Sequence, residues 1–186
     1  MRRYPRTELT RFLLAVDSEL SVAVEVVIIG GAAAALRYGA SRPTLDVDTF
    51  SRIPRQLEAA VRRAREATGL DVPFSAAGVA DAPYHFEDRL ERLTIKGLKK
   101  LRLWVPERHD LVLMKLVRGY EHDLEVIEEM HRHEPMDLDT LLARYLEMDA
   151  AIGDPRRLEL NFVAGIERLF GAKAAEQAVR RMTLRL

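Results

Sequence analysis

The 186-residue sequence predicts an α+β fold, in which a mixed sheet is flanked by helices and followed by a C-terminal helical bundle. A short run rich in valine and isoleucine, residues 22–29, is typical of a strand buried on both faces. Segments with apolar residues at helical spacing lie on both sides of it, and helical patterns dominate the last third of the chain. We therefore predict an α/β core at residues 1–133 and a helical region at residues 134–186.

Composition excludes several classes of function. Hydrophobic residues make up 48% of the chain, which is enough for one proper core. The 29 Lys and Arg residues balance the 29 Asp and Glu residues, so net charge does not favour a nucleic-acid partner, although a local patch could still bind one. The absence of cysteine removes disulfides, thiolate metal sites and cysteine catalysis. We expect no signal peptide and no membrane span, and hence a cytoplasmic protein.

The first 70 residues contain five predicted elements. An amphipathic helix begins near Thr7, a strand covers 22–29, an alanine-rich helix covers 32–38, a second strand covers 44–50, and a long helix covers 54–68. Side chains alternate between the two faces of a strand, so the second strand carries Asp46 and Asp48 on one face. It is therefore predicted to have an acidic face.

The remaining elements follow from turn residues and apolar periodicity. Residues 70–88 have little periodicity, which predicts a loop with short extended pieces. Two short strands joined by a basic turn around Gly97 predict a hairpin at 90–105. Helical segments then follow, beginning at Pro106, Tyr120, Leu138, Pro155 and Ala172 and bounded in the last part by Gly153, Asp154 and Gly171.

The two glycines after the first strand are the first functional signal. Gly30 and Gly31 lie between a strand and a helix, where the backbone can approach a ligand closely and free helix N–H groups favour a phosphate. A buried strand that turns into a helix also uses glycine for packing alone. The glycines by themselves leave both interpretations open.

The two aspartates of the second strand favour the functional interpretation. Asp46 and Asp48 lie two residues apart, so both carboxylates are within reach of one hard cation, Mg²⁺ or Mn²⁺. Two unpaired carboxylates repel each other, and a cation compensates that repulsion. The alternative is a pair of solvated aspartates at the end of a strand. With a nucleoside triphosphate bound at the glycine turn, this set of residues is typical of nucleotidyl transfer.

Six residues carry a resemblance to a known superfamily, and they are Gly30, Gly31, Arg42, Thr44, Asp46 and Asp48. Their order resembles the signature of the polymerase-β-type nucleotidyltransferases. More narrowly, it is similar to the AbiEii branch, which includes the MenT toxins of type IV toxin–antitoxin systems, and to neighbouring uncharacterised nucleotidyltransferase-like families. The resemblance covers roughly residues 22–130. It implies a nucleotidyltransferase-type mixed sheet, a metal held by the two aspartates, and nucleotide binding by the other four residues.

A second segment resembles the second motif of that branch. By this resemblance Lys115 and Arg118 contact nucleotide phosphates, and Asp123 supports the metal or the nucleophile. On a continuous helix Asp123 would lie about 80° away from Lys115, and a bend at Gly119 would close the gap. The alternatives are a lysine that snorkels from a core helix and an aspartate in a surface ion pair with Arg118 or His122.

Two departures from the superfamily pattern affect the expected activity. The superfamily usually has a glycine–serine pair where this chain has two glycines, so a hydroxyl that holds phosphate is missing. The strand at 101–105 carries no third carboxylate, and Glu87, Asp88 and Glu91 are candidate substitutes.

The expected function is Mg²⁺-dependent transfer of a nucleoside monophosphate from a triphosphate to a hydroxyl of tRNA or of a protein. The toxin relatives also imply a type IV toxin with an antitoxin partner. The competing hypothesis is a catalytically weak or inactive module that binds a nucleotide or a partner on the same fold.

Overall fold

The computed structural model describes residues 2–50, 52–77, 81–148 and 154–183. These residues form a mixed α+β fold, which confirms the predicted class. The strands are β1 (Val24–Ile29), β2 (Val47–Thr49), β3 (Phe74–Ala76), β4 (Glu91–Leu93) and β5 (Leu101–Val105). The helices are α1 (Arg6–Glu19), α2 (Gly30–Arg37), α3 (Arg55–Thr68), α4 (Arg108–Arg118), α5 (Glu121–His133), α6 (Leu138–Leu146), α7 (Pro155–Phe170) and α8 (Ala172–Thr183), with a short 3₁₀ turn at Phe86–Arg89. No helix in the described ranges is long and apolar enough to cross a membrane. The predicted stop at Gly153 lies outside those ranges.

The chain divides into two compact units. The first contains residues 1–80 and 90–106, and the second contains residues 81–89 and 107–186. The whole sheet and helices α1 to α3 belong to the first unit, and helices α4 to α8 belong to the second. This division does not coincide with the predicted boundary between a core at residues 1–133 and a helical region at residues 134–186, and that boundary stays a prediction.

The sheet of the first unit has five strands in the order β3-β2-β1-β5-β4. The central strand β1 runs parallel to β5 and antiparallel to β2, while β3 is parallel to β2. Strands β4 and β5 form the antiparallel hairpin that the sequence predicted. The second strand is shorter than predicted because Thr44 forms a separate bridge, in which its backbone pairs with Tyr4 at 2.7 and 3.1 Å.

A buried carboxylate fixes the turn of this hairpin to helix α1. Asp17 Oδ1 accepts hydrogen bonds from the backbone N–H groups of Lys99, Lys100 and Leu101 at 3.0, 2.7 and 2.6 Å. Burial opposes ionisation of Asp17, but these three backbone donors keep the pKa of its carboxyl below the usual value. The start of β5 is therefore held by hydrogen bonds to an ionised carboxylate that is far away in the sequence.

Replacing Asp17 by Asn is expected to lower the free energy of unfolding by about 2 kcal/mol, because the three amides lose an ionised acceptor. Urea unfolding of the variant measures the loss. Asp71→Asn is the matched control, since the Asp71 side chain is 89% exposed. Equal stability of the two variants would contradict the proposed role of Asp17.

Candidate functional site

The carboxylate of Asp48 faces the turn between β1 and α2. Ile29, the last residue of β1, pairs with Asp48 in the antiparallel register, and α2 begins at the next residue, Gly30. Gly30 has a φ of +68°, which favours glycine, and a Cβ built on it would lie 3.4 Å from Asp48 Oδ2. The structure therefore brings together the glycine turn and one of the two predicted aspartates.

Gly31 is required by packing. A Cβ at this position would lie 2.7 Å from Thr44 Oγ1, closer than van der Waals contact permits. Thr44 is buried, and its hydroxyl donates a hydrogen bond of 3.3 Å to the backbone carbonyl of Asp46. This contact explains physically why a glycine stands where the superfamily has serine: a serine side chain would collide with Thr44. Arg42 lies two residues before Thr44 and is half-buried.

The strand beside Asp48 offers a hydroxyl and no third carboxylate. Ser75 on β3 is opposite Asp48, and its Oγ donates a hydrogen bond of 3.2 Å to Asp48 Oδ1. Glu91 is wrong as a substitute because β1 and β5 separate its strand from β2, about 14 Å in strand spacings. It is instead paired with Arg37 at 2.6 Å. The two other candidates, exposed residues on the 3₁₀ turn of the second unit, are Glu87 and Asp88.

The two predicted aspartates have the donor chemistry of a magnesium site. Asp46, immediately before β2, and Asp48 within it provide carboxylate oxygens, the hard donors that Mg²⁺ prefers. Among the residues that the structure describes, no group of three or more His, Cys, Asp or Glu side chains could hold a metal ion. Mg²⁺ usually takes one or two carboxylates and completes its shell with water and substrate phosphates, so two aspartates are compatible with it.

In the second unit, the helix break at Gly119 brings together the three residues of the second motif. Gly119 ends α4 with a φ of +60°, and α5 begins two residues later. Lys115 Nζ lies 3.3 Å from Asp123 Oδ1, and Arg118 Nη2 lies 2.9 Å from the same oxygen. Lys115 is only 3% exposed and Asp123 only 1%. The alternative of a snorkelling lysine is therefore wrong, because Lys115 is buried. The alternative ion pair of Asp123 with Arg118 is present, but its carboxylate is buried and does not lie on the surface.

The second carboxylate oxygen of Asp123 has a different environment. Asp123 Oδ2 is buried and accepts no hydrogen bond from the described residues. His122 Nε2 lies 3.9 Å from this oxygen. A buried carboxylate oxygen without a donor is costly, so it is a place where a further group could be accommodated favourably.

An exposed aromatic surface that the sequence analysis missed lies beside this ion pair. The Tyr120 ring is 51% exposed and stacks on His122, with 5.5 Å between ring centroids and an angle of 28°. The Arg118 side chain is 53% exposed, and Arg157 lies 5.9 Å from the Tyr120 ring. The available signal in the sequence was an aromatic residue directly after Gly119 and two residues before a histidine.

The corner that carries these residues is fixed by helix α7. Asn161 Nδ2 donates to the carbonyl of Leu116 at 2.9 Å, and Arg157 Nη2 donates to the carbonyl of Arg118 at 2.9 Å. A Cβ on Gly119 would lie 2.2 Å from Asn161, so that only glycine fits. The free carbonyls at the end of α4 are thereby satisfied.

The two groups of predicted site residues belong to different compact units. Gly30, Gly31, Arg42, Thr44, Asp46 and Asp48 are in the first unit, and Lys115, Arg118 and Asp123 are in the second. The prediction that all of them line one cleft stays a prediction.

A family comparison identifies the chain. Residues 9–164 match the model of the family described as "Nucleotidyltransferase of unknown function (DUF6036)". The chain belongs to this family. The match spans both compact units and includes every predicted site residue. Membership supports the nucleotidyltransferase assignment and the binding of a nucleotide, and it leaves the substrate and the acceptor of this DUF6036 protein unspecified.

Two solved structures from Helicobacter pylori are similar to this DUF6036 chain at low identity. JHP933 is 16% identical, with 97% of each chain covered and a TM-score of 0.41. A second protein, described as a nucleotidyltransferase, is also 16% identical, with 97% of this chain and 96% of that chain covered and a TM-score of 0.39. None of the curated proteins matches the chain.

A further charged cluster in the second unit is structural. The Glu107 carboxylate accepts a hydrogen bond of 2.8 Å from His109 Nδ1 and another from Arg144. His109 Nε2 accepts a hydrogen bond of 2.8 Å from the backbone N–H of Asp137, so both ring nitrogens have partners. Asp110, fully buried, accepts two hydrogen bonds from one guanidinium, that of Arg89, at 2.9 and 3.0 Å. Both ring nitrogens of His109 therefore serve structural hydrogen bonds.

The stability of the second unit is expected to fall in acid because of Glu107. Burial opposes its ionisation, but hydrogen bonds from His109 and Arg144 lower the pKa of its carboxyl to about 2. The stabilisation is present above the ordinary pKa of about 4.5 and is lost as the pH falls towards 2. The ionised Glu107 carboxylate thus contributes about 3 kcal/mol to the free energy of unfolding at neutral pH.

Glu107→Gln should therefore destabilise the protein at neutral pH and flatten the dependence of unfolding free energy on pH below about 4.5. Urea unfolding between neutral pH and pH about 3 measures both effects. The control is Glu176→Gln, a change of an exposed glutamate in the same unit. If the unfolding free energy of Glu107→Gln falls in acid as steeply as that of the wild type, other groups cause the pH dependence.

Proposed function

We propose that this DUF6036 protein transfers a nucleoside monophosphate from a nucleoside triphosphate to a hydroxyl group. The observation that supports the proposal best is the position of Asp48, whose carboxylate oxygen faces the Gly30 turn at the start of α2. A triphosphate accepted by the first N–H groups of α2 would lie next to that carboxylate. Family membership supports the same class of reaction.

In this proposal the glycine turn binds the phosphates and the two aspartates bind the metal. Gly30 allows the backbone to approach the phosphates, and the N–H groups at the start of α2 donate to them. Asp46 and Asp48 would hold Mg²⁺, which when bound polarises the α-phosphate and neutralises the charge that develops there. Ser75 orients the Asp48 carboxylate through its hydrogen bond to Oδ1. The Thr44 hydroxyl is committed to the Asp46 carbonyl and fills the space in which a serine would reach the phosphate.

The second motif, which lies in the second unit, also offers groups suited to a nucleotide. The Arg118 side chain is 53% exposed, so a phosphate could share its guanidinium with Asp123, whereas Lys115 is buried against Asp123. The unpartnered oxygen of Asp123 would accept a hydrogen bond from a polar group that reached it. Tyr120 and His122 present exposed rings on which a base could stack, worth about 1–3 kcal/mol per base.

The proposal is tested by label transfer with each of the four triphosphates, Mg²⁺ and either bulk tRNA or a protein mixture as acceptor. The wild type is expected to label one acceptor class with one preferred nucleotide, and Asp46→Asn is expected to abolish labelling. Asp71→Asn is the control for an equal change of charge. Unchanged labelling by Asp46→Asn would remove the proposed role of this carboxylate.

The AbiEii-like and MenT-like resemblance supports a narrower version, in which the acceptor is tRNA and the protein acts as a toxin restrained by an antitoxin. Expression of the wild type alone is then expected to arrest growth, and Asp48→Asn is expected to remove the arrest. A wild type that is harmless at high expression would count against the toxin version while leaving the transfer reaction intact.

A second candidate, a catalytically weak or inactive nucleotide-binding or partner-binding module, is favoured by Ser75. A hydroxyl stands beside Asp48 on the neighbouring strand, where an acid would complete a three-carboxylate centre. Calorimetry with each triphosphate, with and without Mg²⁺, separates the two candidates. Binding without product across both acceptor classes favours the module, and product formation excludes it.

A further inference from the structure

The β4–β5 hairpin carries a second, separate candidate site. A pocket of about 300 Å³ lies where its strands diverge, beyond the last pair, Leu93 with Leu103. Three cationic side chains line it, together with one hydroxyl and apolar residues, and these polar residues are Arg92, Lys99, Arg102 and Thr94. No acidic side chain is among the lining residues. The pocket is therefore cationic in a protein whose net charge is zero.

Two of these cations have no partner within the described parts of the chain. Arg102 is paired with Glu25 at 3.1 Å, and this contact accounts for its charge. The side chains of Arg92 and Lys99 make neither a hydrogen bond nor an ion pair with any described residue. Like charges gathered at one pocket repel each other, and a bound anion relieves that repulsion.

The turn that presents these cations is held rigidly. The Asp17 carboxylate accepts three hydrogen bonds from backbone N–H groups of the turn. Lys100 Nζ donates to the carbonyl of Leu20. Gly97 has a φ of +105°, and a Cβ there would lie 2.9 Å from Leu14. The Lys100 ammonium is therefore bonded within the fold, whereas the neighbouring residue Lys99 lines the pocket. A preorganised loop loses little conformational entropy when it binds a ligand.

This pocket is distinct from the Asp48 turn. It lies at the start of β5, which is parallel to β1, whereas Gly30 follows the end of β1. The two sites are therefore at opposite ends of the central strands, about 17 Å apart along the strand direction. A ligand at the pocket does not compete for the residues of the proposed transfer reaction.

We propose that the hairpin pocket binds a phosphate group, carried by a polynucleotide backbone or by a small phosphorylated molecule. The guanidinium of Arg92 can donate two parallel hydrogen bonds to phosphate, and the Lys99 ammonium and the Thr94 hydroxyl supply further donors. The site does not depend on nucleotidyl transfer. If the acceptor is an RNA, the pocket holds its backbone at a distance from the reacting hydroxyl.

The experiment compares Arg92→Gln/Lys99→Gln with Arg55→Gln/Arg62→Gln. The control pair removes the same charge from exposed positions of α3 in the same unit. The probes are a fluorescent single-stranded RNA oligonucleotide, followed by anisotropy, and pyrophosphate, followed by calorimetry, both at about 50 mM salt. We expect the wild type to bind at least one probe, the hairpin variant to bind it at least tenfold more weakly, and the control to stay within about twofold.

The two probes distinguish the sources of the phosphate. Binding of the oligonucleotide alone identifies a polynucleotide, and the hairpin variant should then lower the salt slope of log Kd by about 1.4. Binding of pyrophosphate identifies a small phosphorylated ligand. Asp48→Asn should retain hairpin binding, so that failure of the transfer proposal leaves this one standing. Absence of binding of both probes, or equal losses in the hairpin and control variants, would overturn the proposal.

Discussion

Lys115→Met is expected to lower the free energy of unfolding by about 2–3 kcal/mol, because it removes the buried ammonium partner of Asp123 and leaves the carboxylate to Arg118, whose side chain is 53% exposed. The pair lies almost entirely out of water, and one carboxylate oxygen already lacks a donor. Urea unfolding of the variant measures the loss. Lys173→Met, a change of an exposed lysine on α8, is the control and should cost less than about 0.5 kcal/mol.

A double variant separates the cost of a broken pair from the value of the intact one. Lys115→Met combined with Asp123→Leu removes both charges and is expected to recover most of the lost stability. If Asp123 also serves the reaction, the recovered double variant stays inactive in label transfer. A single Lys115→Met variant as stable as the wild type would contradict the buried ion pair.

Asp48→Asn is expected to lower nucleotidyl transfer by at least about 100-fold. Asparagine keeps the size of the side chain and an oxygen that can accept from Ser75, but it removes the negative charge that would hold Mg²⁺. Its free energy of unfolding should change by less than about 0.5 kcal/mol, so that the loss of activity is not a loss of fold. Label transfer at saturating triphosphate and urea unfolding measure the two quantities.

Two companion variants define the meaning of that result. Asp71→Asn removes an exposed carboxylate of the same unit and should leave transfer unchanged. Ser75→Ala removes the hydrogen bond that orients Asp48 and should lower transfer by roughly tenfold. Full activity of Asp48→Asn would show that the carboxylate facing the Gly30 turn takes no part in the reaction.

Local patterns predicted the elements that depend on neighbouring residues. Gly30 and Gly31 marked the end of β1, the alternation around Asp48 gave the face of β2, and the basic turn at Gly97 gave the hairpin. The bend at Gly119 was expected because a left-handed residue ends a helix at low cost for glycine. These features are written in short stretches of sequence.

Contacts between distant residues could not be predicted in the same way. The hydrogen bond from Ser75 to Asp48 depends on the register of β2 and β3, and the contact of Asp17 with the hairpin joins residues more than 80 positions apart. One of the alternatives placed Asp123 in a surface ion pair, whereas tertiary packing buries it with Lys115. The need for glycine at position 31 likewise becomes clear only when the structure places Thr44 beside it.

The most direct test of nucleotidyl transfer compares two labels on the same triphosphate. With Mg²⁺ and the acceptor found in the screen, label on the α-phosphate is expected to appear in the product, while label on the γ-phosphate is expected to leave as pyrophosphate. Asp48→Asn should give neither product. Transfer of the γ-label alone, or no product from either label with tRNA and protein acceptors, would contradict the account.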